Sequence, residues 1–209
     1  MANVDPWTTI HEERRALLKD LEPLTAEQWS TPSLCEGWTV RDVLGHMVAT
    51  AKKTPPKFFA GLVGSGFRFN AMAAKDVARE TEGGPAETLG RFREVLDRTS
   101  SPPGPKTTWV GEVVVHGEDI RRPLGIRHTY SSDALTSVAD FYKGSNLLIG
   151  AKNRIAGLTL QATDADWSTG SGPVVTGPML SLVMAMVGRK PALDDLSGEG
   201  LATLRERMP

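Results

Sequence analysis

Glu112, His116 and Asp119 stand four and three residues apart in "W-V-G-E-V-V-V-H-G-E-D-I-R-R", Trp109 to Arg122. Read at a period of two, this stretch is a β-branched strand whose three polar side chains must be explained one at a time. Read at 3.6, it stacks all three on one helical face. Glu and His four apart on a helix can chelate a single ion from one side, and His46 on a facing helix would add a third donor. Three protein donors leave a position for water or substrate, the arrangement of catalytic rather than structural zinc. A plainer reading makes Glu112 and Asp119 solvated charges, Asp119 pairing with Arg122. His116 is then a hydrogen-bonded rim residue and His46 a satisfied core histidine. E-x-x-x-H is a short pattern, and spacing alone leaves both readings open.

Other candidates are fewer. Cys35 is the single cysteine. It has no activating base at a fixed spacing, so it is expected to be a small buried apolar group rather than a nucleophile. His11, among charges in the first amphipathic segment, and His128, after "P-L-G-I-R", are expected at the surface. "T-G-S-G-P" from Thr169 to Pro173 lacks the P-loop lysine and reads as a turn, not a phosphate cradle. The methionines of "M-L-S-L-V-M-A-M" fall at core spacing.

The elements that must position these residues are legible in outline. Ile10, Leu17, Leu18 and Leu21 recur at helical spacing from Trp7 to about Leu21. Thr25 caps a short helix that Pro32 breaks. Thr39 and Asp42 form a variant capping box opening a second long helix, with Val40, Val43, Leu44, Met47 and Val48 as its stripe and His46 at the stripe's edge. "K-F-F-A-G-L-V-G-S-G-F-R-F-N-A-M" is apolar but punctuated by Gly61, Gly64 and Gly66, so a helix end and then a mobile lid or pocket wall are expected there. Pro85 suits the first turn of a third helix carrying Leu89, Phe92 and Leu96, which "T-S-S-P-P-G-P-K" ends.

A lone strand from Trp109 to Arg122 would have no nearby partner for its backbone, so helix is the better reading, with Val113 and Ile120 toward the core. Ser132 is expected to cap a fifth helix. The boundary is drawn near Ala151, giving a helical bundle over 1–150 and a small α/β domain over 151–209. In the latter, "G-L-T-L-Q-A-T-D" alternates as a strand, a buried helix closes at Gly188, and a short helix ends the chain. The fold class expected is mainly α, a four-helix bundle with a small α/β C-terminal domain.

Bulk properties exclude some partners. The 209 residues are 40 % hydrophobic and 23 % charged, ordinary for a folded domain. With 24 basic and 25 acidic residues interspersed, the net charge of −1 gives no footprint for nucleic acid or an anionic membrane. One cysteine excludes an internal disulfide and fits a reducing cytoplasm. The N-terminus has charges where a signal peptide needs its apolar run. A cytoplasmic protein, monomer or homodimer, is expected.

From Trp29 to His46, "W-S-T-P-S-L-C-E-G-W-T-V-R-D-V-L-G-H" resembles the mycothiol-dependent maleylpyruvate isomerase family, part of the wider DinB-like metal-binding bundles. "E-V-V-V-H-G-E-D" is similar to that family's E-x-x-x-H-x-x-D segment on the fourth bundle helix. "A-T-D-A-D-W-S-T-G-S-G-P" and "G-R-K-P-A-L-D-D-L-S-G-E-G" resemble its small C-terminal domain. The resemblance implies a divalent ion, usually zinc, held by His46, Glu112 and His116, with Asp119 orienting an imidazole or the incoming ligand. It also implies mycothiol or a similar low-molecular-weight thiol. In the isomerase this thiol adds to the cis double bond of maleylpyruvate, the bond rotates, and elimination gives the trans product. Arg189, in "V-G-R-K", matches an arginine serving the substrate's carboxylates; its other reading is neutralisation of a helix C-terminus.

The chain departs from the isomerase proper in an abbreviated C-terminal domain and in the absence of a recognisable cofactor pattern from Phe58 to Met72. The implied reaction is therefore thiolate attack on a small electrophile, either isomerisation or S-transfer. The alternatives are a non-catalytic metal or small-ligand binding or sensing module, and iron-dependent oxygenation on the same two His and one carboxylate.

Overall fold

Asp5 accepts a hydrogen bond from the Trp7 N–H and Pro6 enters the first turn, so α1 (Pro6–Leu21) begins where its apolar stripe begins. The computed structural model describes residues 5–146 and 149–209, and the chain divides into two compact units, Met1–His128 and Thr129–Pro209. In the first unit, Thr25 and Gln28 close a capping box on α2 (Ala26–Trp29). Thr39 and Asp42 do the same for α3 (Val40–Lys52), where Asp42 accepts from the Thr39 N–H at 2.9 Å and Thr39 from the Asp42 N–H at 3.2 Å. The capping box expected at Thr39 is thus present. Next come α4 (Pro55–Gly64), α5 (Phe69–Glu80), α6 (Pro85–Arg93) and α7 (Lys106–Arg121).

Four of these helices close a ring: α7 packs on α1 and α3, and α6 packs on the same two. This is the expected four-helix bundle, with α5 laid against α3 and α4 against α5. A Cβ at Gly45 would lie 2.6 Å from the Thr81 methyl, so only glycine there lets the end of α5 come this close to α3, one residue before His46. The segment from Trp109 to Arg122 is helix, as its need for backbone partners required. From Val110 to Arg121 every residue of α7 is buried except His116, which is half-buried.

The stretch expected to be a mobile lid is different. Residues 55–64 and 69–80 form α4 and α5, joined by a turn in which Gly66 and Phe67 have φ of 62° and 59°. Gly61 and Gly64 are accommodated inside α4 because no residue of that helix is buried, so little packing is lost at them.

In the second unit, α8 (Ser132–Tyr142) packs on α10 (Met179–Met186). The cap of α8 is Ser131, one residue before the expected Ser132. Because its packing partner is α10, α8 belongs with this unit, and the division between units falls at His128 rather than near Ala151, where the change of sequence pattern lies. After α9 (Ala151–Arg154), β1 (Thr159–Ala162) pairs antiparallel with β2 (Ser168–Gly170) and parallel with β3 (Val174–Gly177), giving the order β2-β1-β3. "T-G-S-G-P" is the turn leaving β2. Gly170 has φ +87°, and a Cβ there would fall 2.1 Å from the Leu158 carbonyl oxygen. The buried methionines of α10 fill the core beside Leu160 and Val175, and α11 (Leu201–Glu206) ends the chain.

Candidate metal centre

α7 and α3 bring His116 and His46 together, with ring centroids 5.0 Å apart and planes at 76°. α3 turns its stripe of Val40, Val43, Leu44, Met47 and Val48 into the core, which leaves His46 half-buried at the stripe's edge. The Trp38 ring covers the other side of His46 at 5.1 Å. On α7 the His116 Nδ1–H donates to the Asp119 carboxylate at 2.9 Å, and Asp119 is fully buried. In the neutral ring this bond fixes the tautomer and puts the lone pair on Nε2. The Asp119 carboxylate thus holds the His116 ring, and Arg122 pairs with Glu118.

Glu112 lies one turn before His116, only 8 % exposed, and neither carboxylate oxygen makes a hydrogen bond. Burial outweighs the charges of Arg14 and His116 and the small pull of the Thr50 hydroxyl to hold the acid above its usual range. A buried carboxylate without a partner costs several kcal/mol on the order of magnitude of its lost hydration, and a cation is the usual remedy. Burial, then the charges of His116 and Lys53, push His46 down to about 3, so its ring is neutral with a lone pair available. For His116, burial opposes the charged form, but Asp119 and Cys35 outweigh it and raise the ring to about 10. An ion binding at Nε2 must displace that proton. Two imidazoles and an orphaned carboxylate suit a divalent ion of borderline softness, zinc first.

Two residues here escaped the reading of the sequence. Cys35 is not a buried apolar group: its sulfur, a His116 nitrogen and an Asp119 oxygen all lie within 4.8 Å of one another, a group able to hold a metal ion. The loop carrying it is built, with the Ser33 hydroxyl donating to the Trp38 carbonyl at 2.8 Å and Gly37 at φ 75°. The Leu34 N–H donates to the Asp119 carbonyl at 3.1 Å, tying the loop to α7. His46 and Glu112 lie outside that close group. The second residue is Arg14, which is 2 % exposed and donates to the carbonyls of Val95 and Arg98 at 3.1 and 3.0 Å. It occupies positions 10, 14, 17 and 21 together with Ile10, Leu17 and Leu21, so a charge inside an apolar stripe was the signal.

The remaining candidates fall elsewhere. His128 is not a solvated residue but pairs with Glu13 at 2.7 Å, while His11 stacks on Trp7. Arg189, in the second unit, follows Gly188 at the end of α10 and donates to the Val187 carbonyl at 3.5 Å, the helix-terminal contact of its plainer reading. Its charge, after burial, helps lower the Arg154 guanidinium from its usual value, so the two cations are neighbours.

Residues 10–101 match the family model described as mycothiol maleylpyruvate isomerase N-terminal domain. The matched stretch contains Cys35 and His46 and stops before α7. The fold agrees over more of the chain. Crystal structures of a mycothiol-dependent maleylpyruvate isomerase and of a histidine-to-alanine mutant of it each share 16 % identity, with a TM-score of 0.66 over 93 % of this chain and 91 % of that one. This likeness shows the fold: a helical bundle followed by a small α/β unit. No curated protein matches the sequence. Among the described residues, no helix is long and apolar enough to cross a membrane.

Proposed function

We propose that this chain is a metal-dependent enzyme in which a low-molecular-weight thiol, mycothiol first among them, attacks a small electrophile in the cytoplasm, isomerising it or becoming conjugated to it. His46, Glu112 and His116 hold the ion. The observation that carries this reading is the Glu112 carboxylate, buried with both oxygens unsatisfied, one turn from an imidazole whose neighbour is a second imidazole. A bound divalent ion keeps a coordinated thiol as thiolate at neutral pH, which is the chemistry the reaction needs.

The chain's own residues prepare that place. Asp119 holds the His116 Nδ1 proton and so presents Nε2. Arg14 places a positive charge near Glu112, favouring its ionised form. Trp38 walls off one side of His46 from water. Three donors leave a position for sulfur. Arg189 as the partner of a substrate carboxylate rests on the resemblance of Val187–Lys190 alone.

The protein whose fold is shared makes maleylpyruvate the first electrophile to test and mycothiol the first thiol. Zinc-loaded protein incubated with mycothiol and a panel of electrophiles is expected to give isomer or conjugate above background, and a chelator is expected to abolish it. Metal and thiol bound without turnover of any electrophile would make the chain a binding module, and failure to hold a stoichiometric divalent ion would overturn the reading altogether.

A further inference from the structure

Resting on that metal reading, we propose that Cys35 is a ligand to the ion, so that the position left by His46, Glu112 and His116 is filled by the chain's own sulfur until a small thiol displaces it. Two independent observations carry this. The first is proximity: the Cys35 sulfur lies within 4.8 Å of a donor atom of His116 and of Asp119, on a loop pinned to α7 through the Leu34 N–H. The second is Glu112, more than nine-tenths buried on the His116 face of α7, with both oxygens unpartnered. The orphaned carboxylate calls for a cation, and the sulfur stands beside the imidazole that would bind it.

Thiolate is among the strongest donors to zinc and completes a closed four-donor set with two nitrogens and a carboxylate. On binding, the sulfur–hydrogen bond gives way to a sulfur–metal bond and the proton leaves to solvent, with no change of oxidation state. A resident thiolate makes the site self-closing. An incoming thiol exchanges sulfur for sulfur, its proton passing to the released Cys35 thiolate, and the ion is never left with only water in that position. Cys35 thereby sets how readily thiols enter.

The test is substitution of Co(II) into the full chain and into Cys35→Ser and Cys35→Ala, without added thiol. The wild-type protein is expected to show a near-ultraviolet sulfur-to-cobalt charge-transfer band. Both variants are expected to lose it while retaining stoichiometric cobalt, visible ligand-field bands and wild-type circular dichroism. Bound cobalt with no such band in the wild type, or a band that survives in both variants, overturns Cys35 ligation and leaves the proposed function standing. Wild-type protein that takes up no cobalt overturns both.

Discussion

α7 and α4 reverse the ordinary rule of burial within one unit. α7 buries Glu112, Glu118, Asp119 and Arg121, whereas α4, "P-P-K-F-F-A-G-L-V-G", buries nothing and leaves Phe59 and Val63 more than half exposed. The difference shows that place in the bundle, and not local composition, decides what is covered. α7 packs closely along both α1 and α3, so what it carries from Val110 to Arg121 goes inside, while α4 lies at the margin of the unit against α5. Polar groups forced into the interior are costly and persist when something offsets them. Glu118 has Arg122, Arg121 has Asp20 and Asp119 has His116. Glu112 is the one of these four whose side chain has neither an ion pair nor a hydrogen bond through either charged oxygen, and the proposed metal site starts from it.

The comparison can be broken at several points. His116→Ala should have the largest effect, a loss of metal affinity beyond about 100-fold, since changes to outer partners alone cost about 10–100-fold; metal analysis after dialysis checks it. Next is proton linkage. In the ion-free chain the His116 pKa is raised to about 10, so ion binding expels a proton throughout the neutral range. Affinity should then fall at least ~tenfold per pH unit as pH is lowered from about 8 to about 6, and more steeply where the Cys35 thiol also gives up its proton, measured by competition with a chelator of known pH dependence. Asp119→Asn keeps the shape but loses the charge, and should cost about 10–100-fold in metal affinity with little change in circular dichroism.

Glu112→Met should act in opposite directions on function and stability. It abolishes metal retention, yet removes an unsatisfied carboxylate and should stabilise the metal-free chain by about 1–3 kcal/mol, read as a higher denaturant midpoint. A metal-free Glu112→Met less stable than wild type would show that Arg14 needs the acid more than the acid needs an ion. The smallest effect belongs to α4. Phe59→Ser and Val63→Ser should each change stability by within about 0.5 kcal/mol, because both side chains are more than half exposed.

Much of the bundle was legible because its signals are local. The Thr39–Asp42 box, the Pro85 start and the α1 stripe each needed only a few neighbouring residues. The helical state of α7 came from asking where its backbone would find partners. His46, Glu112, His116 and Asp119 were named from two short motifs, and the geometry sets the imidazoles side by side with Asp119 behind one of them. What stayed hidden depends on contacts distant in sequence. No spacing rule links Cys35 to His116, which are brought together by the Leu34–Asp119 backbone bond. The two helices from Pro55 to Glu80 were obscured by glycines that matter little in a helix with nothing to bury. The unit boundary at His128 turns on α8 packing against α10, about forty residues later.

If α3 and α7 close on a single ion as proposed, anomalous diffraction at the zinc edge will give one strong peak bounded by His46, Glu112 and His116, with density for sulfur adjacent. No peak in crystals grown with zinc, or a peak away from Glu112 with its carboxylate still unpartnered, would contradict that closure.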